Sequence, residues 1–237
     1  MKIKSVAILL CLTIGFCSGC NKEKETIIVL ARHAQTTANV TNTLAGRRGD
    51  VGLTLYGYKQ AEALGDELLD KYVFDSFYCS SLTRTQETGK TALNKMGLSL
   101  EPHVDSGLDD VDYGLATGLT VQEASLLYGG TGFPSDFGPI DDESFKPTFT
   151  EENTYSWYKR FQSSLDEIGK KEKGHQVLVV SHGACFYWGQ YTFGEDKVTG
   201  FSNCSYAELS FKNGNWSLVS WHPDAPIEVG DDCKNGN

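Results

Sequence analysis

Two stretches of this chain, Ile27-Ile28-Val29-Leu30-Ala31 and Val177-Leu178-Val179-Val180, are apolar at every position. Each runs into a histidine, the first through Arg32 to His33 and the second through Ser181 to His182. A strand with one face in water alternates apolar and polar residues, because successive side chains point to opposite faces. A strand that is apolar throughout must be covered on both faces, which is the situation of parallel sheets flanked by helices. Ligands bind such sheets beyond the carboxyl ends of the strands. Both histidines fall at that edge.

The remaining segments supply the covering layers. Thr54 is placed to cap a helix carrying Ala61, Leu64 and Leu68 at three- and four-residue spacing. A strand over 74–80 and helices over 82–96, 121–128 and 154–170 follow. Residues 129–150 are rich in Gly, Pro, Asp and Phe and read as a long loop, a feature that in compact domains is usually functional. Near the end, 205–211 and 216–221 flank Asn213-Gly214, a strong two-residue hairpin signal. The pattern predicts an α/β fold, a three-layer α/β/α sandwich whose central sheet is mainly parallel with an antiparallel hairpin at one edge. With 237 residues, 40% of them hydrophobic, one domain over 27–225 suffices, followed by a disordered tail at 226–237.

Residues 1–19 stand apart from that domain. Lys2 and Lys4 precede an apolar run from Val6 to Phe16, shorter than the ~20 residues that span a bilayer. The run ends in Cys17-Ser18-Gly19-Cys20, then Asn21-Lys22-Glu23-Lys24-Glu25. This resembles the signal peptide and lipobox of a bacterial lipoprotein, with Cys20 as the lipidated residue and 20–26 as a linker; an ordinary cleaved signal peptide is the alternative. Either reading puts the domain outside the cytoplasm, and the first attaches it to the cell membrane only through Cys20.

Charge narrows the partners. The formal net charge is −10, and losing residues 1–19 removes two lysines and no acid, leaving −12. Nucleic acid is excluded as an expected partner, because backbone binding requires clustered Lys and Arg. A small anionic substrate would need a local positive pocket in an acidic surface. Of the cysteines beyond Cys20, Cys79 and Cys185 sit in apolar, strand-like contexts and read as buried thiols, while Cys204 with Cys233 is a conceivable bridge. Beyond Cys20 no Cys-x-x-Cys or His-Glu-x-x-His spacing occurs, so neither a metal site nor a cofactor is expected.

Cleaving a phosphate monoester takes a nucleophile, donors for the phosphoryl oxygens and an acid for the leaving alkoxide. A neutral imidazole at a strand end suits the first role. Guanidinium groups suit the second, because their paired donors match phosphate geometry. The chain has only five arginines, Arg32, Arg47, Arg48, Arg84 and Arg160, which suggests placement rather than scatter. Arg47 and Arg48 read equally as lining a pocket mouth or as solvated, and Arg160 as a surface or packing residue. His103, His175 and His222 read as surface histidines.

Five segments in order carry a family resemblance: Leu30-Ala31-Arg32-His33-Ala34 with Asn39 beyond, Gly46 to Gln60, Ser80 to Thr88, Leu108 to Gly118, and Val179-Val180-Ser181-His182-Gly183. Together they resemble the histidine phosphatase superfamily, branch 1, the phosphoglycerate mutase-like proteins, over about residues 27 to 220. The resemblance implies a phosphohistidine on His33, with Arg32, Arg84 and the second histidine, His182, binding the phosphoryl group, His182 as a cation or donor to its oxygens, and with Asn39 and Gly183 beside them. It implies Asp110 as proton donor, although Asp109 and Asp112 lie beside it and like charges there would raise one carboxyl pKa. Ala34 replaces a usual glycine, with a Cβ expected to narrow the phosphate pocket.

The expected activity is therefore hydrolysis of small phosphate monoesters. Phosphoglycerate mutase-type transfer and a catalytically silent lipoprotein that captures phosphorylated ligands are the alternatives. A cysteine hydrolase using Cys185 near His182 is a further and weaker reading. Phe133, Phe137, Phe145, Phe149 and Trp157 read either as a lid over the substrate or as ordinary core.

Overall fold

The computed structural model describes residues 24–129, 133–200 and 202–224. The expected signal segment, the lipidation site Cys20, Cys233 and the expected tail at 226–237 lie outside the described residues.

Six strands form one sheet: β1 (Thr26–Arg32), β2 (Ser76–Cys79), β3 (Pro102–Val104), β4 (Gln176–Ser181), β5 (Tyr206–Lys212) and β6 (Asn215–His222), in the order β3-β2-β4-β1-β5-β6. The pairs β2·β3, β2·β4 and β1·β4 are parallel, while β1·β5 and β5·β6 are antiparallel. The helices are α1 (Thr37–Val40), α2 (Leu55–Leu69), α3 (Thr83–Lys95), α4 (Val121–Tyr128), α5 (Thr154–Lys171) and α6 (Cys185–Phe193). The fold class is the expected one, a mixed α/β sandwich with an antiparallel edge.

The two all-apolar strands are central and adjacent, and their alternate residues feed two cores. Ile28, Leu30, Val177 and Val179 pack with Trp157, Phe161 and Leu165 of α5 and Phe186 and Trp188 of α6. Val29, Ala31, Leu178 and Val180 pack on the other side with Ala61, Leu64 and Leu68 of α2 and Ala92 and Leu93 of α3. Covering one apolar side chain fully is worth about 1.5–3 kcal/mol, so both helix layers have reason to stay on the sheet.

Thr54 caps α2 by accepting from the Gly57 amide. Gly57 is required by close approach, since a Cβ there would run into the carbonyl of Gln35 in the segment after His33. In the hairpin, Asn213 and Gly214 both take positive φ, 54° and 78°, the left-handed geometry that matches strand twist.

Of the strands and α-helices named above, the one-turn α1, the edge strand β3 and helix α6 were not expected from the sequence, nor were the short 3-10 turns at Ser106–Leu108, Gly114–Ala116 and Ser135–Phe137. Cys185, read as lying in a strand, is the first residue of α6; it is buried as expected, as is Cys79. The strand read over 74–80 is shorter, only four residues.

Candidate active site

The register of β1 against β4 sets the site. Arg32 pairs with Ser181, so the next residue on each strand, His33 and His182, leaves the sheet side by side, and the His33 amide donates to the Ser181 carbonyl at 2.9 Å. The two imidazoles stand 5.3 Å apart, tilted by 60°. Strand ends that share a register bring these rings together although 148 residues separate them.

His33 is 4% exposed, and its Nδ1 lies 2.7 Å from the Ala34 carbonyl oxygen. A carbonyl only accepts, so Nδ1 carries the proton and Nε2 carries the lone pair. Burial, followed by the charges of Arg84 and Arg32, holds the ring well below its ordinary pKa and keeps it neutral.

His33 lines a cavity of about 470 Å³ with Arg32, Thr36, Asn39, Arg84, Asp110, Gly183, Ala184 and Asn203 around it. Among the described residues, every expected site residue except His182 therefore lines this one cavity. His182 is 1% exposed and stands behind Arg84. Its Nδ1 accepts from Arg84 Nε at 3.2 Å, and its Nε2 lies 2.8 Å from Ser80 Oγ. Burial and the Arg84 charge push it too well below its usual pKa, so it is neutral, with Nε2–H donating to Ser80. Both of its nitrogens are thus engaged away from the cavity, which differs from the expectation that His182 meets the phosphoryl oxygens directly as a cation or donor.

Arg84 is the hub of this wall. Besides His182, its NH1 donates to the Gly49 carbonyl at 3.1 Å, and its NH2 to the Gly46 carbonyl at 2.9 Å and to Asp110 Oδ2 at 3.2 Å. These contacts fold the 46–49 segment over the guanidinium. Arg32 lies on the facing side against Gly183, where a Cβ would come within 3.5 Å of its Nε. Gly183 and Ala184 line the cavity and lead into α6, whose first amides, those of Cys185, Phe186 and Tyr187, donate to the carbonyls of His182, Gly183 and Ala184 at 3.0 to 3.2 Å.

Asp110 is the carboxylate that reaches this space, and its neighbours are held elsewhere. Asp109 Oδ1 accepts from both the Ser81 amide and hydroxyl at 2.8 Å, and Asp112 pairs with Arg48 at 2.6 Å. Burial raises the Asp110 carboxyl above its ordinary value, against the opposing pull of Arg84. Desolvation is the cause, in place of the like-charge repulsion expected from its neighbours. Asn39 Oδ1 accepts from the Thr36 amide at 3.0 Å, completing the capping box of α1 whose N-cap is Thr36, and Asn39 lines the cavity.

The Ala34 methyl packs in the core beside α2 and α3 and is absent from the cavity wall, so it does not narrow the pocket. Arg160 is neither a surface nor a simple packing residue: it donates to the carbonyls of Ser106, Gly107, Asp109 and Asp110 at 2.9 to 3.3 Å and to Glu152 at 3.0 Å. It holds the acid-bearing loop. Arg47 and Arg48 bond to Asp109 and Asp112 and do not line the cavity. Phe137, Phe149 and Trp157 are core, and of the five proposed lid aromatics only Phe133 reaches the cavity. The Cys185 thiol is buried, pushed up in pKa by that burial and off the cavity wall, which removes the support for a cysteine nucleophile.

Asn203 was missed. Its Nδ2 donates to the His33 carbonyl at 2.9 Å, and no motif or spacing marks it in the sequence. The scarcity of arginine was the signal available for Arg160.

Comparison with known proteins agrees with this geometry. The family model described as "Histidine phosphatase superfamily (branch 1)" matches residues 28–224. The chain is 32% identical over 166 residues to a 2,3-bisphosphoglycerate-dependent phosphoglycerate mutase of Methylobacterium sp., covering 67% of this chain and 76% of that protein. It is 31% identical to phosphoglycerate mutase-like protein 4 of Arabidopsis thaliana, covering 66% of each. Among solved structures, a phosphoglycerate mutase from Bacillus anthracis superposes with a TM-score of 0.72 at 22% identity, over 84% of this chain and 93% of that one. A mycobacterial glucosyl-3-phosphoglycerate phosphatase gives 0.67 at 23% identity, over 85% of this chain and 100% of that one. The rings of His33 and His182, the guanidiniums beside them and the matched length of chain lead to one statement: this protein belongs to the histidine phosphatase superfamily, branch 1.

Proposed function

We propose that the protein is a phosphatase that hydrolyses phosphate monoesters through a phosphohistidine on His33. The observation that carries this reading is the bond from His33 Nδ1 to the Ala34 carbonyl, which leaves a neutral Nε2 lone pair on the cavity beside two guanidiniums. Nε2 attacks phosphorus as the ester P–O bond breaks, and Asp110, whose pKa burial raises, gives its proton to the departing alkoxide. Arg32, one N–H of Arg84, Asn39 and Gly183 receive the phosphoryl oxygens. Water then attacks phosphorus, Asp110 takes a proton from it, the P–N bond breaks and inorganic phosphate leaves. His182 acts from behind by orienting Arg84.

The test is rapid quenching with a labelled ester. A phosphoprotein that is labile in acid and stable in alkali, and is lost with all turnover in His33→Ala, is the expected result. Equal turnover in His33→Ala would overturn the proposal, and a protein with no turnover of any ester would instead be the silent binding form. The mutases among the relatives support a second reading, phosphotransfer within phosphoglycerate. Conversion of 3-phosphoglycerate to 2-phosphoglycerate faster than phosphate release would favour it.

The same proposal puts the enzyme outside the cytoplasm, tethered by lipid on Cys20. Release of the Cys20→Ala protein from the membrane fraction is the expected outcome, and retention there would refute the anchor.

A further inference from the structure

Beyond the phosphoryl end, the cavity changes character. Besides the residues assigned to the phosphoryl group, its lining includes the apolar and aromatic side chains Leu44, Ala45, Tyr113, Val121, Phe133 and Tyr187, along with the uncharged Asn42 and Thr43. Among the described residues the only cations lining the whole cavity are Arg32 and Arg84, and no lysine lines it. Arg84 is in contact with Asp110 at 3.2 Å, and the proposed mechanism uses both arginines for the phosphoryl oxygens.

The aromatic part of this wall is built into the core. Phe133 meets Tyr187 edge-on at 5.3 Å, Trp157 at 4.9 Å and Phe137 at 5.2 Å, and Tyr113 meets Phe137 at 5.7 Å. The Tyr113 hydroxyl is pushed well above its ordinary pKa by burial and by Asp110, so it stays neutral. The segment opposite is pinned too, with Leu44 exchanging backbone bonds with Leu119 and Gly118 at 2.8 and 2.9 Å. A rigid apolar wall favours a flat apolar group, whose burial requires no rearrangement. A second anion there would lose its water with no cation to replace it. The surrounding protein, at a formal net charge of −10, also repels polyanions on approach.

Resting on the phosphatase reading of the same site, we propose that the enzyme selects phosphate monoesters whose leaving group is uncharged and presents a flat apolar face to Tyr113, Phe133 and Tyr187. Esters with a second anionic group, bisphosphates and phosphorylated carboxylic acids among them, are discriminated against.

The test compares kcat/KM for benzyl phosphate, 4-carboxybenzyl phosphate and glycerol 2-phosphate, three alkyl esters that separate charge and apolar contact from intrinsic leaving-group reactivity. Benzyl phosphate is expected to exceed each of the others by roughly ten-fold or more. Tyr187→Leu should shrink the benzyl-to-glycerol ratio. Val121→Arg, which adds a cation at a half-buried helix start, should raise the carboxybenzyl-to-benzyl ratio several-fold. Equal or higher kcat/KM for the carboxylated ester, with turnover intact, would overturn the specificity proposal and leave the phosphatase reading standing. Turnover of none of the three, nor of p-nitrophenyl phosphate, would overturn both.

Discussion

Arg84 Nε donates to His182 Nδ1 across 3.2 Å, and this bond ties the second histidine of the site to the guanidinium that fronts the cavity. The chain continues from His182 Nε2 to Ser80 Oγ and from there to Thr85 Oγ1, each at 2.8 Å. A buried guanidinium is thereby fixed in orientation before any substrate arrives, which is where electrostatic catalysis gains most.

Replacing Arg84 by lysine keeps the charge and loses the fork. An ammonium cannot hold His182, Gly46, Gly49 and Asp110 together, so kcat is expected to fall roughly 100- to 1000-fold. Steady-state kinetics on p-nitrophenyl phosphate, with circular dichroism to confirm folding, checks this. A folded Arg84→Lys enzyme within about three-fold of wild type would contradict the assigned geometry.

Asp110 must carry a proton to serve the leaving group, and burial raises its pKa. Activity on alkyl esters should therefore fall as the pH rises through that raised value, giving an acid-side optimum. In Asp110→Asn the alkaline limb should vanish and alkyl-ester turnover should drop by about 100-fold or more, with a smaller loss on p-nitrophenyl phosphate. A pH–rate profile unchanged in shape would assign the limb to another group.

His33 and His182 are buried neutral, with folded pKa values depressed below the unfolded one. A depressed value means the stabilisation is fully present above about pH 6.5 and is lost as the pH falls from there, by up to about 1.4 kcal/mol per pH unit for each ring. Asp110 works in the opposite sense, stabilising at low pH and losing that contribution as the pH rises through its folded pKa, so it offsets part of the effect. Urea midpoints should decline from pH 7 to 5, and His182→Asn should remove a large share of that slope. A midpoint that does not depend on pH over this range would mean the rings are not held neutral.

Arg160 holds four carbonyls of the acid loop from helix α5. Arg160→Met keeps the aliphatic stem and removes the fork, leaving the loop carbonyls unsatisfied at a cost of about 1–3 kcal/mol. Alkyl-ester kcat should fall about ten-fold, aryl-ester kcat less, because the acid matters more for the poorer leaving group. Equal losses on both ester types would mean that Arg160 acts on overall stability rather than on the position of Asp110.

The legible parts of the fold were those written in local periodicity. Val29 and Val180 announce a doubly covered strand wherever they sit, Thr54 announces a cap, and Asn213-Gly214 a turn, because each depends on neighbours within a few residues. β3 and α6 were not legible: three residues at a sheet edge carry too little pattern, and Cys185 to Phe193 is apolar on most sides because it lies between sheet and aromatic core. At the site, Arg32, His33 and Asp110 were legible as residues, while the cause of the Asp110 shift was not. It comes from burial, a property of the assembled loop.

What the sequence by itself determined is a mainly parallel α/β sandwich with two histidines at carboxyl strand ends, since apolar periodicity and strand direction leave that placement little freedom; that the two strands are neighbours came from the fold. Only the tertiary structure decided that Arg84, and not His182, faces the cavity, that Arg160 clamps the acid loop, and that Ala34 turns its methyl into the core. Those outcomes depend on which way a side chain points once helices and loops distant in sequence have packed around it, and no local pattern encodes that direction.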